Sequence, residues 1–366
     1  MILTVGAAAA GGACVAHAPD GRVVFVRHCL PGETVRVEVT STGSSFLRAD
    51  AVEVLTPSAD RVEPVCPYVG RCGGCDWQHA SPSAQLDLKT AVVRDQLARL
   101  GRVAWDGTVA PVSPYLGWRT RSQWSSGVGF RAHRSHDVVE VDSCAIAVEP
   151  TPPGPLGSVV EVMSVAGQTA VAVDGRGPGG VRVPVLDRRF EVAAGGFWQV
   201  HVAAPTVLVD AVLAAIEPQP GDSCLDLYAG VGLFAAFLGV AVGPTGSVLA
   251  VEAEARAAAD AARNTDDLPW VRIRTATVTP AVLRPVDLVV LDPPRAGAGL
   301  EVTRALAQLR PRRLAYVSCD AGSLARDLRV LLDAGWDLVS LQAWDLYPQT
   351  EHVELLATLT PPALPL

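Results

Sequence analysis

Lysine is almost missing from this chain: among 30 basic residues in 366 there is one, Lys89, and the rest are arginine. Acidic residues number 38, so the net charge is −8, which argues against a broad basic surface for nucleic acid. A long apolar run is also missing, and nothing in the sequence spans a bilayer. The start, Met1 to Ala18, is rich in Ala and Val. It lacks a positive n-region, and Gly6, Gly11 and Gly12 interrupt it, so a first strand and a glycine turn are expected rather than a signal peptide. A cytoplasmic, monomeric protein is expected. Eight cysteines are too few for a disulfide scaffold in a chain this long. No internal repeat is present, and no low-complexity segment beyond the proline-rich last residues.

What is there supports a packed protein of two to three domains. Apolar residues make up 49% and charged residues 19%, which excludes wholesale disorder. The charge is uneven. Residues 1–57 carry four basic and five acidic groups, and residues 58–150 carry ten of each. Residues 151–366 carry 16 and 23, so the acidity sits in the C-terminal half.

Residues 19–56 alternate apolar and polar in short runs punctuated by Gly21, Gly32 and Gly43, the pattern of a small β-barrel. Residues 82–100 read as one amphipathic helix. Ser83 is its expected cap, Leu86, Val93, Leu97 and Leu100 its apolar face, and Gly101 its C-terminal stop. Strands are expected over 118–148, and turns with short strands over 151–180. From about 200 the pattern alternates: helix Ala204–Ile216, strand Ser223–Leu227, a glycine loop at 230–232, strand Val248–Val251, helix Ala253–Asn264. Further strands are expected at Val286–Leu291, Arg313–Val317, Trp336–Ala343 and Leu355–Leu359. This predicts an α/β fold whose C-terminal domain is a doubly wound, mostly parallel sheet.

Four constellations carry chemistry. The first is Cys66-x5-Cys72-Gly73-Gly74-Cys75, three thiols that can converge on one centre, with Cys144 as the best candidate for a fourth. Spacing leaves zinc and iron–sulfur both open. Cys14 and Cys29 read as small apolar fillers. The second is Leu225-Asp226-Leu227-Tyr228-Ala229-Gly230-Val231-Gly232, a strand and glycine turn opening a helix, with Glu252 at the end of the next strand. The third glycine of a dinucleotide fingerprint is absent, and a carboxylate at Glu252 can bridge two ribose hydroxyls, so the pair suits a methyltransferase better. The third is Asp292-Pro293-Pro294-Arg295, a rigid loop at a strand end. The fourth is Ser318-Cys319-Asp320 at another strand end, with Glu354 one strand later as a possible base.

In this order these segments resemble the bacterial RNA uracil-5-methyltransferase family, in the form that carries an N-terminal TRAM barrel and a [4Fe–4S] cluster. Gly196-Phe197-Trp198-Gln199-Val200, Leu324-Ala325-Arg326-Asp327 and His352-Val353-Glu354 extend the match over nearly the whole chain. The resemblance implies a TRAM-like barrel over 1–57, a β-rich central domain with the cluster over 58–190, and a Rossmann-like class I methyltransferase domain over 191–366. It implies that helix 82–100 packs on that last domain. Cys66, Cys72, Cys75 and Cys144 would hold the cluster. Gln199, Tyr228, Glu252 and Asp292 would bind S-adenosylmethionine. Cys319 would be the nucleophile and Glu354 the base in methylation of uridine C5, with 23S rRNA the first choice of substrate and tRNA the second. Relatives offer an acidic or amide side chain towards the adenine where this chain has Arg274-Thr275-Ala276-Thr277. An RNA-facing role falls on Arg119, Arg121, Arg131 and Arg134, interleaved with aromatics in an acid-free stretch. Two rivals stand beside this reading. A cytosine-5-methyltransferase would place its nucleophile in a different motif. A non-catalytic iron–sulfur RNA-binding or redox-sensing protein would need neither Cys319 nor Glu354.

Overall fold

The structure is a computed structural model that describes residues 1–154 and 157–362. The proline-rich end lies outside the described residues from position 363 on.

The N-terminal part is a six-stranded sheet in the order Ile2–Thr4, Thr34–Thr42, Phe46–Thr56, Val23–Arg27, Ala13–His17, Ala8–Ala9. Alternate residues point inward, and Leu3, Val24, Val26, Val35, Val37, Leu47 and Ala49 form its core with Cys14 and Cys29. The pairing of Thr34–Thr42 with Phe46–Thr56 slips register at three places, which lets the long strands curl around that core.

A helix then runs over Pro82–Gln96. Its cap is Ser81, whose hydroxyl accepts from Ala84 N at 3.3 Å, with proline at the first helical position; the expected Ser83 sits inside the first turn. The expected C-terminal turn differs too. Leu97–Gly101 is a π-helical turn, and Arg102, not Gly101, takes the left-handed conformation at φ 56°. The wider π turn rotates the register. Val93 and Leu97 stay buried, while Leu100 turns out to solvent with 42% of its surface exposed. Gly101 is kept small by packing, since a Cβ there would lie 3.0 Å from the Ala325 carbonyl oxygen. The helix and its π turn thus lie against the helix Ala321–Asp333 of the C-terminal part.

The central part is a five-stranded antiparallel sheet that includes Arg121–Ser125, Val159–Val165 and Gln168–Val173. The region expected to be turns and short strands therefore holds a full hairpin. A second hairpin, Gly180–Val185 with Arg188–Ala193, packs on the helix Ala255–Asn264.

The C-terminal sheet has eight strands in the order Val271–Thr275, Ser247–Glu252, Ser223–Leu227, Leu288–Leu291, Arg313–Ser318, Glu354–Thr360, Asp337–Asp345, Ala110–Pro111. The first five run parallel, Glu354–Thr360 runs against them, and Asp337–Asp345, antiparallel to Glu354–Thr360, points the same way as the first five. Its central strands are apolar on both faces because helices cover both sides. The edge strand Ala110–Pro111 arrives from the central part, so this sheet is completed by chain 234 residues away in sequence and was not readable as such.

Candidate functional site

The strands Ser223–Leu227, Ser247–Glu252, Leu288–Leu291 and Arg313–Ser318 all end at one edge, and the turns that follow them build the site. After the first, the chain reverses sharply. Tyr228 is held at φ 63° and Gly232 at φ 86°. A side chain at Gly232 would also press on Ala261, whose Cβ would be 3.1 Å away. A strained non-glycine residue at this turn is tolerated because its neighbours fix it. Glu252 is one of them: its Oε2 accepts from Gly230 N at 2.8 Å and its Oε1 from Glu254 N at 2.7 Å. A carboxylate so held keeps lone pairs for further donors. Asp226 lies fully buried beneath the turn, and burial pushes its carboxyl up to about 8.

One cavity of about 980 Å³ opens over this edge. It is lined by Gln199, Tyr228, Glu252, Asp292, Cys319 and Glu354, so all six residues singled out in the sequence for cofactor and chemistry face the same space. Thr277 lines it as well. Gln199 donates to Asp292 Oδ2 at 3.3 Å. Burial pushes Asp292 up to about 6, and the Gln199 hydrogen bond opposes that. Burial, with the charge of Asp292, pushes Glu354 up to about 8, while Tyr347 and Arg295 favour its ionised form. The Cys319 thiol is pushed up to about 12, by burial first and then by Glu354 and Asp292, with Arg295 opposing. The resting thiol therefore keeps its proton.

Sequence reasoning missed part of the wall. Gly73, Gly74 and Asp76 of the cysteine segment line the same cavity, as does Tyr347, and Phe197 stands at it with about half its surface exposed. The segment before Glu354 is held from three sides. Asp76 N and Trp77 N both donate to the Gln349 carbonyl at 3.0 Å, and Asp76 Oδ2 accepts from Glu351 N at 3.1 Å. Gly11 N donates to the Glu351 carboxylate. Lys89, fully buried, donates to Asp345 Oδ1 at 2.5 Å and to the Tyr347 carbonyl at 3.0 Å. A lone lysine in an apolar helix face gives no hint of a partner 256 residues later.

The four cysteines expected to act together do share a place. Cys66, Cys72, Cys75 and Cys144 line one smaller cavity of about 30 Å³, with Arg119, Gln78 and Tyr68. Burial raises the Cys72, Cys75 and Cys144 thiols, Cys75 to about 12. Among the described residues no group of His, Cys, Asp or Glu converges closely enough to hold a single metal ion. The arginine stretch does not act as one face. Arg119 and Arg134 line the large cavity, Arg121 pairs with Glu161 at 3.0 Å, and Arg131 lies beside His136.

Similarity to known proteins follows this geometry. The TRAM domain family matches residues 3–52. An uncharacterised RNA methyltransferase of Streptomyces coelicolor is 42% identical over 98% of this chain and 92% of its own length. The 23S rRNA (uracil(1939)-C(5))-methyltransferase RlmD of Pseudomonas putida is 31% identical over 92% of this chain and 89% of its own. The chain belongs to the RNA uracil-C5-methyltransferase family. Among solved structures, the Pyrococcus abyssi tRNA (uracil-54, C5)-methyltransferase in complex with S-adenosyl-L-homocysteine matches with a TM-score of 0.74. The match covers 98% of this chain and 99% of that one at 21% identity, which establishes the shared fold. In this family member the cysteine segment, the residues around Arg119 and Arg134, and the C-terminal sheet line the cavity, and Gly11 of the TRAM domain donates to Glu351 in its wall. No helix among the described residues is long and apolar enough to cross a membrane.

Proposed function

We propose that this protein transfers a methyl group from S-adenosylmethionine to C5 of one uridine in structured RNA, with 23S rRNA as the first choice and the cytoplasm as the place of action. The observation that carries the reading is that Cys319 and Glu354 face the same cavity as Gln199, Tyr228, Glu252 and Asp292. Uracil C5 is a poor nucleophile. Attack of the Cys319 sulfur on C6 forms the C6–S bond and makes C5 an enolate carbon, and the thiol proton passes to solvent water. S-adenosylmethionine supplies the methyl group that C5 takes. Glu354 then removes the C5 proton, the C5=C6 bond returns, and the C6–S bond breaks. The two carboxylates differ in use: Asp292, tied to Gln199, serves binding, and Glu354 serves proton transfer.

The target base has to leave its stack to enter such a cavity, and Phe197 offers an aromatic surface at its side. Arg119 and Arg134 supply positive charge there. Arg121, committed to Glu161, contributes less.

One observation supports a [4Fe–4S] cluster in the cysteine cavity: four thiols line one space. Cys66, Cys72, Cys75 and Cys144 would hold it. Held by these four residues, a cluster would cross-link the cysteine segment to the 142–148 region.

The test of the covalent step uses RNA carrying 5-fluorouridine, whose C5 has no proton for Glu354 to remove. The wild type should form an adduct that survives denaturing electrophoresis. Cys319→Ala should form none and still bind S-adenosylmethionine with nearly unchanged affinity. An adduct with Cys319→Ala would overturn the nucleophile assignment.

A further inference from the structure

Glu354 is almost wholly buried, with 3% of its surface exposed, yet a base must be ionised to take a proton. Among the described residues one side chain donates to it: the Tyr347 hydroxyl reaches Glu354 Oε2 at 2.8 Å. Resting on the reading of Glu354 as the base, we propose that Tyr347 is a positioning residue that fixes Oε2 and favours the carboxylate over the acid, leaving Oε1 to take the C5 proton.

Three observations carry this. First, Tyr347 is itself fixed at both backbone groups. Its N–H donates to Asp345 Oδ1 at 3.1 Å, and its carbonyl accepts from Lys89 Nζ at 3.0 Å. Lys89 and Asp345 form a buried ion pair, so the turn cannot slide without breaking it. Second, the ring is clamped edge-on by Trp118 and His352, with centroids 6.3 and 5.8 Å away. The hydroxyl is aimed by packing and costs little ordering at reaction. Third, burial and the nearby Glu354, Cys319 and Asp292 hold the Tyr347 hydroxyl well above its ordinary range, so it stays a donor.

The charged and titratable groups around Glu354 are few. Asp292 and Cys319 face it from the neighbouring strand ends, and Asp292 disfavours its charge. Arg295 favours it, and Arg295 also meets His352 at 3.1 Å. Burial holds His352 low, at about 3, so it stays neutral. Against burial and Asp292, the Tyr347 hydrogen bond and Arg295 are what favour the carboxylate. In the elimination step the C5–H bond breaks and its proton goes to Glu354 Oε1. The electron pair forms C5=C6, the C6–S bond breaks, and its electrons stay on the Cys319 sulfur. The tyrosine proton does not move.

The experiment compares wild type, Tyr347→Phe and Glu354→Gln with substrate RNA and labelled S-adenosylmethionine from mildly acid to alkaline pH. It reads kcat, KM for the cofactor and the amount of covalent RNA adduct. Phenylalanine keeps the ring contacts and removes only the hydroxyl. Tyr347→Phe should keep the wild-type KM for the cofactor and move the acid limb of kcat to higher pH by about one unit, the loss of one charge-assisted hydrogen bond. It should accumulate methylated adduct at neutral pH and regain turnover when made alkaline. Glu354→Gln should accumulate adduct at every pH. A wild-type pH profile and no adduct in Tyr347→Phe, with adduct trapped in Glu354→Gln, would overturn the role of Tyr347 and leave the base in place. Normal turnover by Glu354→Gln would overturn the base reading, and this one with it.

Discussion

Lys89 shows how much one residue can hold. It is the one lysine of the chain, it is fully buried, and its ammonium is met by Asp345 and the Tyr347 carbonyl. Burial lowers it, and Asp345 opposes that without cancelling it. The pair ties the helix Pro82–Gln96 to the turn that leads to Glu354. Removing the cation leaves Asp345 buried without its partner. Lys89→Ala should therefore lower unfolding free energy by about 3–5 kcal/mol, read from chemical denaturation. A loss within experimental scatter would show that the pair contributes nothing. The partnership was not legible in the sequence, because charge pairing across 256 residues leaves no local pattern. Cys319, Glu354, Glu252 and Asp292 were legible for the opposite reason. Glu252, Asp292 and Cys319 stand at or just beyond the end of a parallel apolar strand, and Glu354 opens the antiparallel strand beside them, where the alternation of elements already says a crevice must lie.

At the scale of elements, the turn after Ser223–Leu227 is the most constrained piece of backbone in the site. Gly232 has a positive φ and almost touches Ala261 of the next helix. Alanine there would carry a left-handed penalty of about 1–2 kcal/mol and would push that helix away. Gly232→Ala should weaken S-adenosylmethionine binding by about tenfold or more while leaving the TRAM sheet folded, as titration calorimetry and circular dichroism would show. Unchanged affinity would mean the turn adapts. The helix 82–101 gives the contrasting lesson. Its existence followed from periodicity, and its last turn did not. A π turn adds residues per turn, so Leu100 leaves the apolar face that a 3.6-residue repeat assigns it. The strand Ala110–Pro111 was missed because two residues carry no period at all.

At the scale of the molecule, three parts converge on the segment Asp345–Glu354. Gly11 comes from the TRAM sheet, Asp76 from the cysteine segment, and Lys89 and Gln85 from the long helix. Asp76 follows Cys75 directly, so a cluster on the cysteines, as proposed, would also order the support of Glu354. Protein purified without oxygen should contain about four irons per chain. Removing them should speed proteolysis around the cysteine segment and the 345–354 loop. Stoichiometric zinc without iron would contradict the cluster. Charge fits the same picture. The surplus acid lies in 151–366, where Glu252, Asp292 and Glu354 have defined places, and the first 150 residues hold nearly balanced charge with Arg119 and Arg134 at the cavity. Recognition of one folded RNA site by shape and stacking suits this better than a wide phosphate footprint.

The central claim is methylation of uridine at C5, and one measurement addresses it most directly. The protein is incubated with labelled S-adenosylmethionine and total RNA, and the labelled nucleoside is identified by mass spectrometry and mapped. The account predicts 5-methyluridine at a single position, in 23S rRNA. Label in 5-methylcytidine, on a ribose, or in no nucleoside at all would contradict it.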